Sequence, residues 1–271
     1  MKVFWFSLSI FFLFHLPGTA QLHFNATSGA YSNALGGASI HLTHMDGAFN
    51  NQSGLAEMDQ FGFILGSEVR FLIEDLAAVG IGVAFPIQKI GTVGIVASNL
   101  GFDAYREQKI GVAYARKLSS KINLGAQIDY LNTTIENFGS RGLVTAEIGF
   151  QINIGEKYKL STHIFSPAKI SLLDEYNDIN SRIRVGGQYM PSETISIIIE
   201  VDKWLLNPVS VHGGINYNIS DQLSFRIGAS TNPGLFSIGI GYAIGGRIGV
   251  DGGYTYYQEI GSTPSFSIKS Q

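Results

Sequence analysis

The chain has 271 residues, a net charge of −3, and 45 % hydrophobic against only 14 % charged residues. The weak negative charge gives no electrostatic case for nucleic-acid binding, and the absence of cysteine excludes disulfides, thiolate chemistry and a lipid-anchoring thiol. Glycine is abundant, at 33 residues against a usual ~7 % of a chain, while proline is limited to 7, which suits twisted sheet with tight turns better than disorder.

The first residues read as a secretory signal: Lys2, the apolar run Val3 to Leu16, then Pro17-Gly18-Thr19-Ala20 with small Gly18 and Ala20 before the expected cut. Residues 1–20 are therefore expected to be removed near Ala20; the apolar run is short for a retained spanning helix. An exported, cysteine-free β-chain leaves two main settings, a soluble secreted protein or a barrel in a bacterial outer membrane.

Residues 21–57 differ from everything that follows. Small residues dominate, as in Asn33-Ala34-Leu35-Gly36-Gly37-Ala38-Ser39 and Asp46-Gly47-Ala48-Phe49-Asn50-Asn51, and no period of two persists. Small side chains let backbone approach backbone, so the segment is expected to be a compact hatch in the mouth or lumen of a barrel formed by residues 58–271.

From Phe61 large residues recur at every second position, which sends them to one face of a strand. The pattern is cleanest from Gly234 to Tyr257, where Phe236, Ile238, Ile240, Tyr242 and Ile244 alternate with Ser237, Gly239, Gly241 and Ala243. Similar sets run through Val79 to Phe85, Ile122 to Tyr130, Val144 to Ile152, Ile195 to Val201 and Leu223 to Ile227. About fourteen strands of this kind give an all-β, transmembrane antiparallel β-barrel, with an apolar face toward lipid and a small, polar face inside. The longer stretch Ser166 to Asn180 is either a solvated surface loop or a lid or partner-docking element. Tyr130, Tyr189, Tyr217, Tyr254, Tyr256 and Tyr257 are expected near strand ends, as in interfacial girdles.

The same period assigns Glu147, Gln151, Arg182, Arg184, Gln188, Glu200, Asp202, His212, Asn216, Gln222, Arg226 and Asp251 to the interior. Both signs fall on neighbouring strands, so Glu147, Arg182, Arg184, Glu200, Asp202, His212 and Arg226 are expected to form a polar network in the lumen. Such a network either stiffens the barrel or lines a path for a solute. Catalysis has weak signals. His41, His44 and Asp46 offer metal-ligand types, but no glutamate base lies between the histidines, and no metal or cofactor is expected. No G-x-S-x-G elbow occurs, leaving His163 and His212 as the strand histidines that a barrel enzyme acting on lipid would need.

The segment Ala34-Leu35-Gly36-Gly37-Ala38-Ser39, with Asp46 and Asn51-Gln52-Ser53-Gly54-Leu55-Ala56 after it, resembles the opening of FadL-like outer-membrane barrels, and within them the PorV/PorQ family of Bacteroidetes-type bacteria. Gly36, Gly37, Asp46, Asn51, Gly54 and Leu55 carry the likeness, with Gln52 and Ser53 in place of the usual Pro-Ala. The closing Asp251-Gly252-Gly253-Tyr254-Thr255-Tyr256-Tyr257 looks like the last hairpin of such barrels. The resemblance implies a fourteen-stranded barrel with an internal N-terminal hatch. Its leading functional implication is a non-enzymatic component that supports type IX-like secretion or surface attachment, with outer-membrane lipid and secretion-system proteins as partners. The alternative it implies is a FadL-like transporter of small hydrophobic molecules.

Overall fold

Alternation along each strand decides the architecture, because a sheet that is greasy on one face and small and polar on the other can bury its backbone in lipid only by closing on itself. The computed structural model describes residues 27–167 and 180–270. They form fourteen strands: β1 Gly62–Val69, β2 Ala77–Ile87, β3 Gly91–Gly101, β4 Tyr105–Lys117, β5 Ile122–Ile135, β6 Gly139–Ile154 and β7 Tyr158–Phe165. The second half holds β8 Arg182–Tyr189, β9 Ile195–Trp204, β10 Ser210–Asn218, β11 Leu223–Ser230, β12 Leu235–Ile244, β13 Ile248–Tyr257 and β14 Gly261–Ser270. Each pairs antiparallel with its sequence neighbour, and β1 pairs with β14 to close the barrel. Among the described residues no helix is long and apolar enough to cross a membrane; the strands do the crossing.

β12 shows the rule in full. Buried and exposed positions alternate without a break from Leu235 to Ile244, with Phe236, Ile238, Ile240, Tyr242 and Ile244 outside. Across the seams Ile238 sits opposite Ile227 and Tyr254, and Phe236 opposite Tyr256, so the outer rows merge into an apolar belt. Ile81, Ile95, Ile110, Ile128, Ile148, Val185 and Ile199 continue that belt around the barrel.

The two ends differ. The end that holds the start of β1 and the end of β14 is closed by short turns such as 88–90, 155–157 and 245–247. The opposite end carries the segment 70–76 and the connection 166–181, of which residues 168–179 lie outside those described. The signal-peptide expectation for residues 1–20, the first residues of the 21–57 segment and most of the expected Ser166–Asn180 loop also lie outside them. At the loop end β5 and β6, at 14 and 16 residues, run beyond their neighbours and carry an exposed Phe138 at their tip.

Three expectations need correction. Tyr257 turns inward at the loop end, where its ring meets Phe71 edge-on at 5.3 Å, because the pleat gives adjacent Tyr256 the outer face. Tyr130 faces out from the middle of β5 rather than from a strand end, since that strand extends further than its hydrophobic pattern alone suggests. Gln222 is in the turn between β10 and β11, not on the inner wall.

Candidate functional site: a filled lumen and its chambers

The segment from Thr27 to Met58 fills the middle of the barrel. It contains a single helical turn, α1 Ala30–Ala34, and 3₁₀ turns at His44–Gly47 and Gln52–Glu57. Leu35, Ala38, Ile40, Met45 and Leu55 are fully or almost fully buried. Leu55, Met45 and Ala48 pack with the inward Ile64, Ala84, Val96, Ala113 and Ala115 of the wall, and Leu35 packs with Ile198. The small inward residues thus serve close approach. A Cβ at Gly125 would strike the backbone of Gln52 and Ser53, and one at Gly228 the backbone of Leu35 and Gly36.

An irregular segment exposes backbone polar groups, and inside a barrel the wall must satisfy them. Glu200, with no solvent exposure, accepts the N–H groups of Ser39 and Ile40 on one oxygen, at 2.7 and 3.1 Å. Gln151 donates to the carbonyls of Ile40 and Leu42 at 2.8 and 2.9 Å. Ser237 accepts from Gly36 N–H at 2.8 Å, Ser267 accepts from Ala30 N–H at 2.7 Å, and Gln52 donates to Glu147 at 2.9 Å.

The charges form a connected set behind these contacts. Arg184 donates to Ser39 Oγ at 2.7 Å and to the Asn50 carbonyl, with Glu200 3.6 Å away. It also donates to His163 Nδ1 at 3.0 Å, which leaves His163 Nε2 as the proton-bearing nitrogen facing Glu147 at 2.8 Å. Lys109 bridges Glu147 and, at 3.4 Å, Asp129. Arg182 grips Asp202 with two nitrogens, at 2.9 and 2.7 Å, and stacks over Trp204. His212 Nδ1 donates to the Gly36 carbonyl at 2.7 Å, with its other nitrogen 3.6 Å from Asp202. Arg226 binds Asp251 at 2.7 Å and Asn216 at 3.0 Å, and Lys269 joins Asp251 to Asp46. Buried charges of this kind hold only as a paired, hydrogen-bonded set, because removing one member strands its partner away from water.

At the rim Glu57 receives Asn123 Nδ2 at 2.7 Å and Lys117 Nζ at 2.7 Å. Partial burial opposes its charge, yet these two partners win and hold its carboxyl below the usual value. His41 lies at the opposite extreme: burial, helped by the Lys159 charge, pushes its imidazole down to about 3.

Several spaces lined by the described residues lie around the filled centre and on its wall. A chamber of about 970 Å³ opens at the loop end, lined by Phe71, Trp204, Tyr257, Arg182 and Asp202 among others. A second, of about 880 Å³, opens at the turn end against Tyr31, His41, Lys159 and Asp251. An inner cavity of about 40 Å³ lies between Thr27, Ser28, Phe49 and Asn50 and the wall. A groove of about 450 Å³ runs on the outer wall over Val79, Ile81, Ile110 and Tyr130. The inner cavity shares Ser28 and Arg182 with the loop-end chamber, and Ala97, Ser98 and Lys109 with the outer groove. The wall there is one strand thick and bears small side chains.

The residues singled out from sequence are brought together unevenly. Glu147, Arg184 and Glu200 meet beneath the N-terminal segment, Arg182, Asp202 and His212 meet toward the loop end, and Arg226 stands apart with Asp251. Gly36 and Gly37 both take left-handed φ, 71° and 87°, where the chain turns out of α1. Asn51 accepts from Ser53 N–H at 3.2 Å and donates to Ile40 O at 2.7 Å and Thr162 O at 3.3 Å, so it shapes the segment and ties it to β7. Gly54 lets the chain cross the Leu42 carbonyl. Lys109, Asp129 and Lys269 were not singled out, although the alternation Glu107, Lys109, Gly111, Ala113 marks an inner row in the sequence.

His41, His44 and Asp46 do not converge: His41 is buried, His44 is exposed, and Asp46 is engaged by Lys269. Among the described residues no three His, Asp or Glu side chains form a group that could hold a metal ion. The partners of His163 are a carboxylate and a guanidinium, and those of His212 a carbonyl and a carboxylate; neither addresses a serine.

No family model matches the chain, and no curated protein matches it. Solved structures do. A toluene transporter of P. putida, TodX, superposes with a TM-score of 0.70 at 11 % identity over 89 % of this chain and 96 % of its own. The monoaromatic hydrocarbon channel CymD gives 0.66 at 12 % identity over 89 % and 96 %, and a Pseudomonas aeruginosa FadL homologue 0.65 at 11 % over 89 % and 97 %. The fold is that of FadL-like outer-membrane barrels. Nothing in these likenesses points to the PorV/PorQ branch, and the neighbours answer to the second expectation, transport, rather than the first.

Proposed function

We propose that this protein is a non-enzymatic conduit of the bacterial outer membrane for small, largely apolar molecules. The observation that carries the reading is the succession of loop-end chamber, inner cavity and lipid-facing groove, each sharing lining residues with the next. An apolar solute gains nothing from a straight path through the charged lumen, where it would displace hydrogen bonds it cannot replace. A sideways path ends instead among Val79, Ile81, Ile110 and Tyr130, in contact with lipid.

The apolar belt supports the outer-membrane setting, and short turns at one end with longer connections at the other orient the loop end outward. The structural neighbours add weight, being hydrocarbon channels. The secretion or attachment reading has in its favour the filled lumen, which a gated conduit needs equally. In the proposed function the segment 21–57 acts as the plug.

The test is uptake of radiolabelled toluene by intact Gram-negative cells that express the protein, compared with vector alone and with Ser98→Trp. Expression should raise uptake, and the tryptophan, placed where inner cavity and groove meet, should return it to the vector level. Equal uptake with and without the protein would remove the transport reading.

A further inference from the structure

The turn-end chamber plays no part in the sideways path, for it shares no lining residue with the inner cavity or the outer groove. Yet it has chemistry of its own. Most of its charges are already spent: Lys269 bridges Asp46 and Asp251, and Arg226 binds Asp251 beneath the Tyr31 ring. Among its cations Lys159 is the exception, while the carboxylates of Glu193 and Asp221 stand exposed on the same lining. Lys159 points inward from β7, half-buried, with no carboxylate in ion-pair range among the described residues and a single long hydrogen bond of 3.4 Å to the His41 carbonyl. Glu57, the carboxylate whose charge acts on it, is held by Lys117 and Asn123 instead.

Beside Lys159, His41 is 4 % exposed and lines the same chamber, and neither of its ring nitrogens has a hydrogen-bond partner. A buried imidazole without a partner and a half-buried ammonium without a counter-charge are each unfavourable alone. Side by side they describe a site that one anion would satisfy, with the ammonium as counter-charge and an imidazole N–H as donor after a turn about its soft terminal torsion. The Gln188 amide lines the chamber close by in register, since it pairs with Lys159 across β7 and β8, and Leu42 and Met190 add apolar surface. Two apolar neighbours and a single cation suit a singly charged group on a compact apolar body better than a free polyanion.

We propose that Lys159 and His41 form a carboxylate-binding site in the turn-end chamber, which takes small organic acids. The site is independent of the conduit, because it is scored by equilibrium binding to purified protein rather than by uptake.

The experiment is calorimetric titration of the full-length, detergent-solubilised protein with benzoate, benzamide and inorganic phosphate. Benzoate should bind saturably and benzamide about ten-fold or more weakly, the scale of a charge-assisted hydrogen bond. Lys159→Gln should lower benzoate affinity by a similar factor while Lys159→Arg retains it, with heat-dependent gel migration verifying that each variant is folded. On the unmodified protein, benzoate should shift the imidazole nitrogen resonances assigned to His41 through His41→Gln. Absence of benzoate binding, phosphate binding tighter than benzoate, equal affinity in Lys159→Gln, or unmoved His41 resonances would each overturn the assignment.

Discussion

Glu200→Ala isolates what holds the N-terminal segment inside the wall. One carboxylate oxygen receives two backbone N–H groups, of Ser39 and Ile40, and its partner oxygen lies 3.6 Å from Arg184. Hydrogen bonds to a charged group contribute about 1.5–3 kcal/mol each, so loss of both weakens the docking of this stretch by about 3–6 kcal/mol. The barrel should still close, since β9 keeps its backbone ladder to β8 and β10 whatever side chain stands at 200, although buried Arg184 loses the carboxylate 3.6 Å away. Glu200→Gln retains an oxygen for the two N–H groups and should show a smaller effect. In planar bilayers, Glu200→Ala should show frequent brief openings against a quiet wild type, with Glu200→Gln between them. Heat-dependent gel migration should be unchanged for all three. A folded Glu200→Ala barrel as silent as the wild type would refute the idea that this carboxylate anchors the plug.

Three further outcomes follow from the same structure. Deletion of residues 21–57 should convert the protein into a steadily ion-conducting pore, because the polar inner face would then be lined by water; unchanged conductance would show that these residues do not plug the lumen. Ile238→Arg, in mid-strand on the outer face, should destabilise the folded barrel in bilayers by about 2–4 kcal/mol, measured by denaturant titration, and a loss near zero would argue that this face does not meet lipid. Glu57 has a carboxyl pKa lowered from its ordinary value of 4.5 in the folded state, so its contribution is present above about pH 4.5 and is lost as pH falls through the folded value. The stability difference between wild type and Glu57→Gln should therefore be seen at neutral pH and vanish in acid; a difference that grows in acid has the wrong sign.

Much of the barrel was legible because a strand in lipid obeys one rule at every residue. Phe236 to Ile244 states it, and the number of repeats gives fourteen strands. The same rule assigned Arg182, Arg184, Glu200 and Asp202 to one face of adjacent strands, where they lie. Which partners they take was not legible. Arg184 spends its donors on Ser39, Asn50 and His163, and those contacts depend on how a non-periodic segment folds back across the wall. Tyr257 was misplaced for a related reason: aromatic type suggests the interface, but parity along the pleat decides the face. The outer groove was not legible at all, since it arises from small Ala97 and Ser98 lying among larger residues of three other strands.

The contrast between the two binding faces of the N-terminal segment constrains how such a barrel can open. Toward β3, β4 and β5 it is held by apolar packing of Leu55 and by glycines that admit backbone, with directional bonds at the rim, where Glu57 meets Lys117 and Asn123. Toward β8, β9 and β10 it is held by directional bonds to Arg184, Glu200 and His212, each of which would leave a buried charge or donor unpaired if broken. Movement at modest cost is therefore confined to the side near β3, where the inner cavity and the outer groove meet at Ala97 and Ser98. In the proposed conduit, solute would pass sideways without unplugging the lumen, and the membrane would stay closed to ions while an apolar molecule passes.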